Sequence, residues 1–135
     1  MTKIIFCLKR LPTMTRAEFQ EYWRNVHAPP VAQRARLLGI RRYVQSHTMD
    51  DATFAGFSQS RGGHPPFDGI VELWFTESEE GTPDERRRAM QELLDDEARF
   101  IDLPASPIFF THENEVIRDF VQAHDASRDT AGNTE

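Results

Sequence analysis

Two capping boxes, Thr15-x-x-Glu18 and Thr82-x-x-Glu85, frame everything this chain can fold into. In such a box the Thr hydroxyl takes the N–H three residues on, and the Glu carboxylate returns to the Thr N–H, so each marks a helix start. Pro83 strengthens the second, because Pro fits the first helical turn. Short apolar runs at 3–10, 40–48, 68–75 and 106–117 flank the boxes and read as strands. The order is therefore β-α-β-β-α-β, the split βαβ or ferredoxin-like motif. An antiparallel four-stranded sheet with both helices on one face leaves its other face bare. Here that face carries apolar and aromatic residues, so a second copy is expected to cover it.

Along the first helix Phe19, Trp23 and His27 fall at i, i+4 and i+8 and share a face. Pro29 and Pro30 are expected to disrupt the helix just after His27, since Pro lacks an N–H and restrains its predecessor. Val31, Ala35 and Leu38 resume a helical pattern, which Gly39 stops. In the second strand Arg41, Tyr43, Gln45 and His47 share one face, and Ile40, Arg42, Val44 and Ser46 the other. Polar groups on both faces predict a cavity or an interface beside this strand. In the third, Gly69, Val71, Leu73 and Phe75 oppose Asp68, Ile70, Glu72 and Trp74. The second helix has an apolar stripe, Ala89, Met90, Leu93, Leu94, Phe100 and Ile101, with Glu97 in it; Pro104 ends it. Residues 49–66 read as a long loop, either a lid or a surface loop with packed aromatics.

A chain of 135 residues is one domain by length, placed at 1–118, with a polar tail over 119–135 that reads as disordered. The net charge of −6 argues against a nucleic-acid surface. Cys7 is the sole cysteine, which excludes an internal disulfide and a cysteine-cluster metal site. There is no apolar run long enough for a transmembrane helix and no secretory signal pattern, so a cytoplasmic protein is expected. The histidines lack the spacing of a metal motif, and no phosphate loop or Ser or Cys nucleophile motif occurs, so neither metal nor cofactor is expected.

The run Ile4-Ile5-Phe6-Cys7-Leu8-Lys9-Arg10, the helix Thr15-x-x-Glu18-Phe19-x-x-Tyr22-Trp23-x-x-x-His27, Arg42-Tyr43-Val44-Gln45-x-His47, Asp68-Gly69-Ile70-x-Glu72-Leu73-Trp74-Phe75 and Phe109-Phe110-Thr111-x-Glu113 together resemble the EthD-domain family. That family lies in the dimeric α+β barrel superfamily. The resemblance implies a homodimer with a pocket between each sheet and its helices. Relatives include polyketide cyclases and dehydratases, isomerases and cofactor-independent oxygenases.

These readings give a set of candidate site residues. His27 and His47 are the acid–base candidates, because imidazole titrates near neutral pH. Tyr43 would orient a carbonyl or enolate oxygen, and Tyr22, Trp23, Glu72, Trp74 and Asp68 would bind substrate. For Asp68, Glu72 and Glu113 a structural ion pair is the alternative. The expected chemistry is proton abstraction beside a carbonyl of an aromatic or polyketide-like molecule, followed by ring closure, isomerisation or loss of water. The alternatives are a cofactor-free monooxygenase of a phenolic or anthrone-type compound and a non-catalytic ligand-binding dimer.

Overall fold

A computed structural model describes residues 1–120. Four strands, β1 (Thr2–Leu8), β2 (Ile40–His47), β3 (Gly69–Phe75) and β4 (Ile108–Thr111), form one antiparallel sheet in the order β2-β3-β1-β4. This is the ferredoxin-like arrangement expected from the order of elements. Helices α1 (Arg16–Tyr22), α2 (Ala28–Gln33), α3 (Ala35–Leu38), α4 (Ala52–Gln59) and α5 (Pro83–Glu97) complete the described elements, with a 3₁₀ turn at Leu103–Ala105. Of the expected tail over 119–135, residues 121–135 lie outside the described residues.

Both capping boxes form: Thr15 and Glu18 start α1, and Thr82 and Glu85 start α5. Gly39 ends α3 at φ 72°, the left-handed conformation that favours Gly. Trp23, Phe19, Phe100 and Leu8 are the largest fully buried side chains, and the three rings pack in one cluster with Leu8. Phe19 lies 5.7 Å from Trp23 and 5.4 Å from Phe100, centre to centre. Gly69 is required where it stands, because a Cβ there would collide with the Trp23 ring.

Five local expectations are corrected. Pro29 and Pro30 do not interrupt the helix; they occupy the first turn of α2. The chain passes from α1 into a π turn at Trp23–His27, in which the Ala28 N–H reaches Trp23 O. That wider turn absorbs the two missing N–H groups and leaves His27 on the buried side. Second, Arg41 is a bulge between Ile40 and Arg42, so Ile40 joins the face of Tyr43 instead of that of Val44. Third, residues 49–66 contain helix α4, capped by the Asp51 carboxylate on the Thr53 N–H. Fourth, β4 stops at Thr111, where its pairing has reached Lys3, close to the start of β1 at Thr2. Fifth, α5 ends at Glu97, short of Phe100 and Ile101.

Candidate functional site

Strand alternation sends Ile4, Phe6, Leu8, Tyr43, Val71, Leu73, Phe75, Ile108 and Phe110 toward the helices, where a cavity of about 560 Å³ opens. Helix α5 and the residues that follow it line the cavity with Met90, Leu93, Leu94, Glu97 and Ile101, and Trp23 joins the lining. The volume falls in the range that holds drug-sized molecules, roughly 300–1,000 Å³. Its walls are overwhelmingly apolar. The polar exceptions are Tyr43, Trp23, Gln91, Arg87 and a single acid, Glu97.

Glu97 is the residue that sequence reasoning placed in an apolar stripe without assigning it a role. Its carboxyl has no hydrogen bond or ion pair with a described residue. Burial first, and then the negative charge of Asp96, push it up to about 7 from an ordinary 4.5. A Glu inside a helical run of Leu and Met was the available sequence signal.

Asp96, one residue earlier, points about 100° around the helix and has three donors around it. It accepts from Tyr22 Oη at 2.6 Å, from His27 Nδ1 at 2.6 Å and from Arg99 Nη1 at 3.2 Å. Burial raises this carboxyl, but the Tyr22, His27 and Arg99 hydrogen bonds outweigh burial and hold it below its ordinary value. His27 is buried, 4 % exposed, with its ring 5.0 Å from Phe100. His27 and Tyr22 therefore face Asp96 and do not line the cavity.

His47 lies behind Trp23, its ring centre 4.4 Å from the indole, and does not line the cavity either. Its Nε2 lies 2.9 Å from Gln45 Oε1, and its Nδ1 is buried without a partner among the described residues. Burial, helped by the Arg24 charge, holds the imidazole below its ordinary 6.5. The two imidazoles thus stand at separate places, one on Asp96 and one behind the indole.

Tyr43 does line the cavity, with Trp23 beside it. Its hydroxyl oxygen accepts from Trp23 Nε1 and from Gln45 Nε2, each at 3.2 Å. Burial raises the phenol, and those two hydrogen bonds pull the other way without cancelling the rise. Asp68 is buried at the start of β3 and held by Arg10 Nη1 at 2.6 Å, Arg16 Nε at 3.0 Å and the Arg10 N–H at 2.8 Å. Glu72 and Trp74 project from the opposite face of the sheet. Glu72 pairs with Lys3 at 2.7 Å, Trp74 donates to Glu113 at 2.6 Å, and Lys3 and Arg42 sit over the indole ring. Of the candidate residues, the structure brings Tyr43 and Trp23 to one cavity and places the other six elsewhere.

The sheet order, the helices on one face and the hollow between the layers define an α+β protein of the ferredoxin-like fold, the fold of EthD-family barrels. The EthD domain model matches residues 11–104, and the chain belongs to that family. No curated protein matches it. Among solved structures, an EthD family protein from Bacillus halodurans is 18% identical, with 84% of this chain and 99% of that one covered at a TM-score of 0.52. HapK from Hahella chejuensis is 10% identical, with 88% and 100% covered at 0.50. A protein from Arabidopsis thaliana is 13% identical, with 87% and 100% covered at 0.51. These likenesses concern the fold. No helix among the described residues is long and apolar enough to cross a membrane.

Proposed function

We propose that the cavity is the active site of a small lyase, cyclase or isomerase working without a cofactor on an aromatic or polyketide-like carbonyl compound. The observation that carries this reading is Glu97, a carboxyl with no partner among the described residues in a largely apolar cavity, whose proton affinity sits at neutral pH. The Glu97 carboxylate takes a proton from a carbon conjugated with the carbonyl, either directly beside it or, as in anthrone, across the ring. The C–H electron pair moves onto the carbonyl oxygen, and the Tyr43 hydroxyl donates to the enolate so formed. The protonated Glu97 then returns its proton to another carbon, completing isomerisation, or to a departing hydroxyl, completing dehydration. The acid–base role thus passes from His27 and His47 to Glu97, and Tyr43 keeps the orienting role expected of it. His27 serves by holding Asp96, whose charge raises Glu97.

The homodimer belongs to the same proposal. The sheet face turned away from the cavity exposes Ile70 and Phe109, and a second copy is the occupant family membership favours. Sedimentation of the protein with Ile70→Arg should show a monomer if that face is the interface.

Anthrone in D₂O under nitrogen tests the chemistry. Wild-type protein should speed deuterium uptake at the methylene carbon opposite the carbonyl, and Glu97→Gln should abolish the acceleration. Uptake no faster than in buffer, with anthrone bound, would leave a ligand-binding protein. Oxygen consumption on admitting air would identify the oxygenase alternative.

A further inference from the structure

Tyr43 is held by a chain of hydrogen bonds whose direction is fixed from end to end. The Trp23 carbonyl oxygen can only accept, and it receives Gln45 Nε2 at 3.1 Å. That contact fixes which end of the Gln45 amide is nitrogen, because a flipped amide would set two oxygens against each other. The second Nε2 hydrogen goes to the Tyr43 oxygen at 3.2 Å. Gln45 Oε1 can then only accept, so His47 Nε2 donates to it across 2.9 Å. His47 is left neutral, with a bare lone pair on Nδ1, and Nδ1 is buried with no partner among the described residues. Protonating it would bury an unsatisfied N–H beside the Trp23 ring. On the other side, Trp23 Nε1 can only donate, and it donates to the Tyr43 oxygen at 3.2 Å. Both acceptor positions of the Tyr43 oxygen are therefore filled from within the fold. Its own hydrogen is the one polar function left for a ligand.

We infer that Gln45 is a positioning residue that makes Tyr43 a one-way donor, so the cavity selects ligands presenting a carbonyl or oxyanion at that end and rejects those presenting only an N–H. This rests on the cavity being the active site, as argued above. It adds a polarity: acceptor oxygen at Tyr43, removable proton at Glu97. The same chain gives His47 a role without contact to substrate, since it occupies the one oxygen of Gln45 that could otherwise draw the Tyr43 hydrogen back.

The test uses fluorenone, a flat tricyclic ketone with no removable proton beside its carbonyl, on the purified full chain at about pH 9. There Glu97 is ionised and cannot donate, while Tyr43, whose phenol is raised by burial, keeps its proton. The infrared carbonyl band of bound fluorenone should move to lower frequency than in hydrocarbon solvent. The shift should vanish in Tyr43→Phe. In Gln45→Glu the new carboxylate takes the Tyr43 hydrogen, so the shift should also vanish and affinity should fall about tenfold, the worth of one hydrogen bond to a buried donor. Gln45→Met, which needs no new charge, should broaden the band and reduce its shift. A residue that merely packs would leave the band where it was. An unshifted band in wild type, or a full shift retained in both Gln45 variants, overturns the inference. Fluorenone tests donation alone and anthrone exchange tests Glu97. A shifted band without exchange therefore sinks only the proposed chemistry, and exchange with an unshifted band sinks only the donor assignment.

Discussion

Asp96 and Glu97 are neighbours on one helix, yet the fold treats them as opposites. Asp96 meets Tyr22, His27 and Arg99, three donors from α1, the π turn and the residues just after α5, and is held below its ordinary value. Glu97 meets an apolar cavity and is pushed up to about 7. The step of about 100° per helical residue separates the two surroundings. The difference teaches which carboxyl is structural. A charge already met by three hydrogen bonds is held in its ionised form, whereas a buried one with no partner among the described residues favours its protonated form. The clamp also feeds the cavity, because the Asp96 charge is one of the two causes that raise Glu97.

The most severe way to break this contrast is Glu97→Gln. It keeps shape and removes the titrating group, so anthrone exchange should fall about 10²–10⁴-fold. In wild type the exchange rate should rise with pH through about 7, where Glu97 loses its proton. A variant exchanging at the wild-type rate would return the acid–base role to a histidine. Next comes Asp96→Ala, which takes the acceptor from buried His27 and half-buried Tyr22. Urea unfolding should show a loss of about 2–4 kcal/mol, because three hydrogen bonds to one part-buried charge vanish. If the variant is isolated folded, its Glu97 should titrate lower than in wild type, since a raising charge is gone.

The fold was legible in the sequence because its signals are local and redundant. Two capping boxes, Gly39 and the alternation of Ile4, Phe6 and Leu8 each point to the same sheet and helices. Departures arose where one residue decided the geometry. The Arg41 bulge turns Ile40 over without any mark in composition. The π turn at Trp23–His27 reconciles Pro29 and Pro30 with a continuing helix, and it sets His27 toward Asp96. The site was half legible. Tyr43 and Trp23 were found by their strand and helix faces. Glu97 was seen but passed over, because a carboxyl's value there depends on whether the helix lies against the sheet or stands off it. No sequence pattern contains that distance. His27 drew attention for its residue type, and its partner Asp96 lies 69 positions away.

The two carboxyls also predict opposite pH responses of stability. Glu97 binds its proton more tightly folded than unfolded. Between its ordinary 4.5 and about 7 the native state therefore holds more protons, and stability falls as pH rises through that window. Asp96 has the reverse sign: its contribution is present above an ordinary 3.8 and is lost as pH falls through its lower folded value. Glu97→Gln should thus be more stable than wild type at pH 8 by about 1–3 kcal/mol, with the gain gone by about pH 4. Parallel urea curves for the two proteins at both pH values would expose an error in either sign.

The smallest effect belongs to Arg99, and it sharpens the contrast by showing which donors matter. Its side chain is 70% exposed and its guanidinium reaches Asp96 at 3.2 Å, longer than the 2.6 Å of Tyr22 and His27. An exposed ion pair is screened by water and salt, and the long side chain loses freedom to form it. Arg99→Ala should therefore leave the urea midpoint within the scatter of repeated measurements, because Asp96 keeps its two short bonds. His27→Ala under the same conditions should shift it clearly, since it removes one of those bonds and empties a buried ring site against Phe100. If Arg99→Ala were the more damaging of the two, the clamp would owe its strength to the surface charge, and Asp96 would be far less unlike Glu97 than the buried geometry makes it.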